Sequence, residues 1–417
     1  MINQEREIKM NQKYKRTAYL APELPSLSAT FVFNEIIAME KLGVEVHTYS
    51  VHEPKNKAHG KRALKMAKST AIIYNHNLLS NLKDFIINTL THTRSTFKGI
   101  AQLAGDFIKT GIIRKNSFKL LYQFLRANWF ARDLRNRNIE HIHIHFAHVS
   151  TQIGMYASTL AGISFSFTAH ANDIFERPLL IKEKCQRAKK VISISSFNID
   201  VMKRLGGNPS NMEIVRCGVD STLPIRPLSS MNKRSLKIGS LGRLVEKKGV
   251  QTLIEAGRQL KDISFDFSIE IAGDGPQKNE LIKLVQKNKL DDHIKFIGAI
   301  PHSDVRDWMK SLDIFSLPSQ KDSNGDMDGI PVVLMEAMNL GIPVLTTAMS
   351  GIPELVIHDK TGLVSQPGDF TGLAENIKKL YINRQLQVNL VANAKKRIKS
   401  EFDQLVNAAR LKEVFSF

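Results

Sequence analysis

The sequence predicts an α/β protein with two doubly wound, Rossmann-like domains that face each other across a cleft. The chain has 417 residues, which is more than one hydrophobic core usually holds. In the C-terminal half, strand-like runs alternate with helical patterns, an order typical of a parallel sheet covered by helices. The N-terminal half repeats this plan with longer helices.

Ten strands are predicted. In the N-terminal half they are Arg16–Leu20, Val44–Tyr49, His141–Phe146, Ser164–Thr168 and Val191–Ser195. In the C-terminal half they are Leu236–Leu241, Phe267–Ala272, His293–Ile297, Asp313–Leu317 and Pro343–Thr347. The predicted N-terminal helices are Thr30–Leu42, Ser150–Leu160 and Phe197–Leu205.

The domain boundaries follow changes in composition along the chain. We predict a first domain over residues 1–218, with a basic helical insertion at about 55–137. A linker rich in Pro and Ser covers 219–235, and the second domain covers 236–395. Residues 396–417 are expected to form a C-terminal helix that packs back on the first domain.

Positive charge is concentrated in the predicted insertion. The whole chain carries a net charge of +19, and the stretch from Lys55 to Arg137 holds 17 Lys or Arg against three Asp, a net of +14. Apolar residues at helical spacing, such as Phe118 and Leu121, predict amphipathic helices with a basic face. Two interpretations stay open: solvated helices packed on the sheet, or docking on the anionic inner leaflet of a membrane. No nucleic-acid-binding motif is recognisable, so nucleic acid is not expected as a partner.

Cysteine usage and hydropathy indicate the compartment. Cys185 and Cys217 are the only cysteines, which gives no disulfide framework. The N-terminus shows no apolar stretch of the kind found in secretory signals, and no run approaches the ~18 residues of a membrane span. We therefore expect a cytoplasmic protein, peripheral on the inner membrane face.

Basic residues follow the first predicted strand of the second domain. Arg243 and Lys248 lie in a loop that ends at Gly249, just before a helix. Fixed cations in such a loop suit a diphosphate, and a solvated basic turn is the alternative. The turn Gly273-Asp274-Gly275-Pro276 follows the next strand, and its glycines let a ligand approach the backbone. Carboxyl ends of parallel strands share one edge of a sheet, so both loops are expected there.

The sharpest signal precedes a helix that starts at Pro331. Backbone amides near Gly329 and Ile330 would point at an anion. Glu336 lies among apolar residues, and a buried carboxylate needs a partner. A ribose diol could donate two hydrogen bonds to it, whereas a pair with Arg or Lys is the alternative. Asp328, eight positions earlier, could reach sugar hydroxyls.

These motifs resemble those of the family 4 glycosyltransferases, which have the GT-B fold. Thr168–Phe175 matches the histidine segment of that family, and Arg216–Asp220 matches its domain-crossover segment. The sequence around Asp328 and the segment Ser350–Glu354 are most similar to those of the subgroup that builds bacterial exopolysaccharides of the colanic acid kind.

The resemblance implies a retaining, metal-independent transfer to a lipid-linked saccharide. The donor would be a nucleotide sugar, UDP- or GDP-linked, and no other cofactor is expected. The implied catalytic residues are His170, Asp328, Arg243 and Lys248. The implied donor-binding residues are Arg243, Lys248, Gly273, Asp274, Gly275, Gly329, Ile330, Val332 and Glu336. The acceptor-side residues are Ser28, Thr30, His145 and Asp173.

The chain departs from the family pattern at two positions. Asp328 stands where the family usually has Glu, and Ala29 replaces Glu in the common Ser-Glu-Thr-Phe. Two alternative functions therefore stay open. One is another GT-B enzyme, such as a sugar-nucleotide epimerase, and the other is a non-catalytic scaffold that binds nucleotide sugars.

Two metal-like patterns are not interpreted as metal sites. His141, His143 and His145 alternate along one strand face, but no Cys or carboxylate cluster joins them in the sequence. They are expected to form a cleft-facing polar strand, with His145 near the acceptor. Asp326-Met327-Asp328 spells the Asp-x-Asp of the other large glycosyltransferase fold, and its place inside the donor motif makes this a coincidence.

Overall fold

A computed structural model describes residues 16–26, 29–55, 60–111, 114–227 and 235–415. It divides into two compact units. Unit 1 comprises Met1–Val215 and Asn407–Phe417, and unit 2 comprises Arg216–Val406. Each unit is a parallel sheet with helices, which confirms the predicted fold class.

Unit 1 contains a seven-stranded parallel sheet in the order β3-β2-β1-β4-β5-β6-β7. Its strands are β1 (Arg16–Glu23), β2 (Glu45–His52), β3 (Ala71–Ile72), β4 (His141–His145), β5 (Ser164–Ala169), β6 (Lys190–Ser193) and β7 (Met212–Ile214). Its helices are α1 (Thr30–Lys41), α2 (Lys61–Ser69), α3 (Leu78–Thr91), α4 (Thr93–Thr110), α5 (Lys115–Asn136), α6 (Val149–Ala161), α7 (Asn172–Phe175), α8 (Ile181–Arg187) and α9 (Ser196–Arg204).

Unit 2 contains a six-stranded parallel sheet in the order β10-β9-β8-β11-β12-β13. Its strands are β8 (Leu236–Leu241), β9 (Phe267–Ala272), β10 (Ile294–Gly298), β11 (Ile314–Leu317), β12 (Val344–Thr347) and β13 (Leu363–Ser365). Its helices are α10 (Val250–Asp262), α11 (Lys278–Lys287), α12 (His302–Lys310), α13 (Val332–Asn339), α14 (Ile352–Leu355), α15 (Phe370–Ile382) and α16 (Arg384–Glu401). The last helix, α17 (Gln404–Val414), begins in unit 2 and belongs to unit 1 from Asn407 onward.

The C-terminal segment contains two helices where one was predicted. α16 ends at Glu401, and the backbone amides of Val219 and Gln404 then bond to the carbonyls of Phe402 and Val219 at 2.9 and 3.0 Å. Within unit 1, the Lys412 Nζ donates to the Leu42 carbonyl at 2.7 Å. Part of the predicted linker, residues 228–234, lies outside the described residues.

The strand β4 is buried on both faces. Ile142 and Ile144 belong to the main apolar core of unit 1, as alternation requires. On the other face, the rings of His141 and His143 lie 5.2 and 5.1 Å from the ring of Phe415. The expected cleft-facing polar strand is therefore wrong, because aromatic side chains of the same unit cover these histidines.

The helices α3 and α4 point polar side chains inward and apolar side chains outward. The Asp84 carboxylate accepts from Arg132 at 2.7 Å, and Asp106 accepts from Arg187 at 2.7 and 2.8 Å. The large apolar side chains exposed on these helices are Leu78, Leu79, Leu82, Ile86 and Leu90 on α3, and Phe97, Ile100 and Ile108 on α4. The predicted amphipathic helices thus expose apolar side chains together with their basic residues. No helix within the described ranges has the length and hydropathy that a membrane span needs.

Candidate active site

Three loops of unit 2 leave the carboxyl ends of neighbouring strands. They follow β9, β8 and β11, which are adjacent in the sheet and parallel. The loops contain the sequence motifs at 242–249, 273–277 and 318–331. The sheet topology therefore places all three motifs along one edge, as the alternating pattern predicted.

Glycines hold the first two loops together through the backbone. The Leu244 amide donates to the Asp274 carbonyl at 2.9 Å, and the Gln277 amide donates to the Leu244 carbonyl at 3.1 Å. A Cβ atom on Gly273 would lie 1.9 Å from the Gly242 carbonyl oxygen, and one on Gly275 would lie 2.4 Å from that of Leu244. These glycines thus serve close packing of the two loops, and their contact with a donor stays a prediction.

Gly249 holds the first loop against the third. Its φ is +63°, and a Cβ atom there would lie 1.8 Å from the Pro318 carbonyl oxygen. Next to it, the Gln320 amide donates to the Lys247 carbonyl at 2.9 Å. The loop carrying the lysines is therefore fixed to the loop carrying Asp328.

Two lysines pair with two aspartates across these loops. The Lys248 Nζ donates to both carboxylate oxygens of Asp328 at 2.9 Å, and the Ser319 hydroxyl donates to Asp328 at 2.8 Å. The Lys247 Nζ lies 2.6 Å from the Asp326 carboxylate. Both aspartates of the Asp-x-Asp pattern are thus engaged by lysines, and the interpretation of that pattern as a coincidence stays a prediction.

Arg243 supplies a second cation at this edge. Its side chain is exposed, and its guanidinium makes no hydrogen bond or ion pair with any described residue. An exposed, unpaired guanidinium has all five donors available for a phosphate or carboxylate group.

The start of α13 presents free backbone donors. Pro331 precedes the helix, and no side chain caps it. Within the described residues, the amides of Gly329, Ile330 and Val332 make no backbone hydrogen bond. The positive end of a helix dipole with unpaired amides favours an anion.

Glu336 lies on α13. Its carboxylate has no hydrogen-bond or ion-pair partner in the part of the chain that the structure describes. Burial raises the pKa of this carboxyl to about 7, and the charge of Arg306 only partly offsets that rise. The alternative of a direct Arg or Lys pair is therefore not observed among these residues. A partly buried carboxylate that lacks a partner suits a ligand with hydroxyl donors.

In unit 1, His170 lies at the end of β5 in an aromatic setting. Its ring centroid is 4.7 Å from that of Phe31 and 4.5 Å from that of Phe146. Its Nε2 is 3.2 Å from the Nδ1 of His145, whose Nε2 is 3.1 Å from a carboxylate oxygen of Glu35. Burial holds the pKa of His170 well below its usual value, so the ring is neutral at physiological pH.

The other predicted acceptor-side residues have different surroundings. Asp173 is fully buried, and its carboxylate accepts hydrogen bonds from the amides of Ala147, His170 and Ala171. Asp173 therefore orders the loop that carries His170. Thr30 begins α1, and Ser28 lies outside the described residues.

One group of side chains in unit 1 could hold a metal ion. Ligand atoms of Glu35, His143 and His145 all lie within 4.8 Å of one another. The expectation that no carboxylate joins these histidines is therefore wrong, since Glu35 reaches them from α1. Glu35 already accepts from His145, and the His143 Nε2 lies 3.1 Å from the Thr168 hydroxyl, so hydrogen bonding accounts for the cluster.

Two solved structures share the fold of this chain along nearly its whole length. HepE of Anabaena, in complex with UDP, has a TM-score of 0.71 at 16% identity, covering 95% of this chain and 98% of that chain. Sucrose-phosphate synthase from Thermosynechococcus elongatus has a TM-score of 0.71 at 17% identity, covering 96% and 98%. The shared architecture is the GT-B fold.

Two protein-family models match different parts of this chain. Residues 28–223 match the model described as Glycosyltransferase Family 4, and residues 225–397 match the model described as Glycosyl transferases group 1. The chain therefore contains a Glycosyltransferase Family 4 domain followed by a Glycosyl transferases group 1 domain.

Two curated relatives have names that refer to polysaccharide biosynthesis. The putative colanic acid biosynthesis glycosyltransferase WcaL of Escherichia coli K12 is 34% identical over 245 residues, covering 57% of this chain and 60% of WcaL. The amylovoran biosynthesis glycosyltransferase AmsK of Erwinia amylovora is 32% identical over 251 residues, covering 59% and 62%. The match thus spans about three fifths of the length of these relatives.

Sequence reasoning missed several side chains at these sites. Lys247 and Ser319 contact the two aspartates, and Ser350 donates to the carbonyl of Gly329 at 2.9 Å. Glu35 was missed because its partner His145 is 110 positions away. Lys247 could have been found, since it stands beside Lys248 in the motif.

Proposed function

We propose that this chain is a retaining glycosyltransferase of exopolysaccharide biosynthesis. It moves a sugar from a nucleotide-sugar donor, UDP- or GDP-linked, to a lipid-linked saccharide. The observation that carries the proposal is the edge of unit 2, where Arg243, Lys248 and the free amides before α13 meet at neighbouring strand ends. WcaL and AmsK, whose names place them in polysaccharide synthesis, support the substrate class.

The chemistry follows from where charge develops. The bond between the anomeric carbon and the phosphate oxygen breaks, and negative charge grows on the leaving diphosphate. Arg243, Lys248 and the helix amides stabilise that charge, which makes a divalent cation on the diphosphate unnecessary. The acceptor hydroxyl attacks from the face that the diphosphate leaves, and the diphosphate takes its proton.

Asp328 has a definite task in this scheme. It holds the Lys248 ammonium with both carboxylate oxygens, and Ser319 fixes the carboxylate in turn. The shorter side chain of Asp, compared with the usual Glu, is thus long enough to position the cation. When the donor binds, its phosphate shares Lys248 with Asp328, while Glu336 accepts hydrogen bonds from the ribose.

The acceptor is proposed to bind in unit 1. A cavity of about 530 Å³ lies between the starts of α5 and α6 and the segment after α7. Its lining includes Gln123, His148, Gln152 and Arg177. The Nδ1 of His148 is buried and lacks a hydrogen-bond partner among the described residues, so it can serve a saccharide hydroxyl.

The membrane partner is proposed to be the anionic inner leaflet, with the chain cytoplasmic and peripheral. Leu79 and Leu90 on α3 are 77% and 76% exposed, and Ile108 on α4 is 72% exposed. The acidic residues of these helices, Asp84 and Asp106, are buried in ion pairs, so the exposed charge there is positive. Apolar side chains framed by lysines fit an anionic bilayer surface.

Vesicle co-sedimentation tests the docking. Full-length protein should bind anionic vesicles at low salt and bind neutral vesicles much more weakly. The double variant Leu79→Ser, Leu90→Ser should lower the partition constant at least about tenfold. Ile382→Ser, which changes a residue 79% exposed in unit 2, is the matched control and should bind like the wild type. Equal binding to both vesicle types would contradict the proposal.

Product analysis tests the activity. Purified chain is incubated with UDP- or GDP-sugars and an extract of lipid-linked saccharides, with and without added Mg²⁺. A new glycosidic bond of retained configuration, formed at the same rate without Mg²⁺, is expected. An isomerised sugar nucleotide without acceptor would instead favour the epimerase, and tight donor binding without any product would favour the scaffold.

A further inference from the structure

Three polar side chains form a hydrogen-bonded line inside unit 1. Glu35 on α1 accepts from the Nε2 of His145 on β4, and the Nδ1 of His145 meets the Nε2 of His170 beyond β5. The side chain of Glu35 is 20% exposed, that of His145 is 1% exposed, and His170 is 6% exposed. The hydrogen-bonded line therefore runs from the partly exposed carboxylate of Glu35 to the buried ring of His170.

The surroundings hold these rings in place. The ring of Tyr19 on β1 stacks on that of His145 at 5.9 Å, and Phe146 packs on His170. Phe146 has a φ of +69°, a left-handed conformation that a bulky residue seldom adopts. The hydroxyls of Ser150 and Thr151 both donate to its carbonyl, at 2.9 and 2.7 Å, and fix that conformation. Backbone strain held in this way is common beside functional groups.

The proton positions follow from the first member of the line. A carboxylate only accepts hydrogen bonds, so the Nε2 of His145 carries the proton. The Nδ1 of a neutral His145 is then an acceptor, and the Nε2 of His170 must be its donor. A neutral His170 is left with a lone pair on Nδ1. No described residue forms a hydrogen bond with that nitrogen.

We propose that Glu35 and His145 are positioning residues that fix His170 in the tautomer with a free acceptor at Nδ1. This acceptor takes a hydrogen bond from a hydroxyl group of the saccharide that binds to unit 1. The inference rests on the proposed function for the identity of the ligand. It assigns a role to Glu35, which no sequence motif indicated, and it explains why neutral rings line this part of unit 1.

Ring ¹⁵N NMR of the full-length protein, labelled in histidine, tests the tautomer without any turnover. His170 of the wild type should show a protonated Nε2 and an unprotonated Nδ1. Glu35→Met keeps the length of the side chain but removes the acceptor, so His170 should become a mixture of tautomers. Glu35→Gln retains one acceptor oxygen and should give an intermediate result. Glu40→Met, on the exposed face of the same helix, is the matched control and should leave the signals unchanged.

Transfer kinetics give the second readout. Glu35→Met should lower kcat about tenfold to a hundredfold, the effect of losing one oriented hydrogen bond, with donor KM changed less than about threefold. A wild-type His170 tautomer in Glu35→Met, or wild-type kcat in that variant, overturns the inference. Absence of transfer in the wild type would overturn the proposed function instead, and the NMR result would still decide the tautomer.

Discussion

The two units share a parallel-sheet plan, but their candidate site residues are held by different forces. In unit 2 the cations and Asp328 lie on loops that are fixed by backbone contacts at glycines, and Glu336 lies on the helix that follows. In unit 1 one carboxylate and two buried imidazole rings are held by side-chain hydrogen bonds between distant segments. The difference fits the division of work: charged loops suit a diphosphate, whereas neutral acceptors suit saccharide hydroxyls.

Gly249→Ala tests whether backbone contacts at glycines hold the site of unit 2. The added Cβ would overlap the Pro318 carbonyl oxygen, so the two loops must separate. We expect a loss of at least about 3 kcal/mol in the free energy of unfolding, measured by urea denaturation.

Gly368→Ala is the matched control for that change. Gly368 also has a positive φ, +79°, but an added Cβ there meets nothing within 4 Å. The free energy of unfolding should therefore fall by only about 1–2 kcal/mol, because a residue with a Cβ atom is strained at positive φ. Equal losses for both variants would show that the contact with Pro318 contributes nothing.

Lys248→Ala tests the charge side of the comparison. Loss of one cation aimed at the leaving diphosphate should lower kcat/KM at least about 100-fold, and Glu336→Ala should fall in the same range. Initial rates at saturating acceptor measure both. Lys310→Ala, which removes an exposed lysine paired with Asp307 on α12, is the control and should keep wild-type rates. Near-wild-type activity in both Lys248→Ala and Glu336→Ala would show that these side chains of unit 2 do not take part in the transfer.

The central strands of both sheets and the edge strand β10 could be predicted from the sequence, and the three short edge strands could not. β8 and β9 have the predicted bounds, Leu236–Leu241 and Phe267–Ala272. β3, β7 and β13 were missed, and they are two or three residues long at the edges of their sheets. Such short strands carry little pattern of their own, because pairing with one neighbour decides whether they form.

The candidate site shows the same division between local and distant signals. Lys248, Asp328 and Glu336 were predicted because each stands in a motif next to a strand end or helix start. The inward-facing Asp84 on α3 and Asp106 on α4 were not predicted, because each is buried against an arginine of another helix. A single sequence does not indicate which distant arginine will pair with each of these aspartates.

The pH dependence of donor binding gives the smallest expected effect and separates the two units most finely. Burial raises the pKa of Glu336 to about 7, whereas His143 and His170 of unit 1 stay neutral across the same range because burial lowers the pKa of both rings. Only the ionised carboxylate can accept from both hydroxyls of the ribose diol with its two oxygens. Donor affinity should therefore be about tenfold weaker at pH 6 than at pH 8, as calorimetry can measure.

The same shift predicts how stability responds to pH. The folded state binds the Glu336 proton more tightly than the unfolded state does, so this group favours folding at low pH. Its contribution is complete below the ordinary pKa of 4.5 and is lost as pH rises to about 7. Glu336→Gln should flatten both the affinity and the stability profiles over this window. A donor affinity that stays constant from pH 6 to pH 8 in the wild type would mean that the ribose does not contact Glu336, and would leave the charge on the diphosphate as the sole attraction in unit 2.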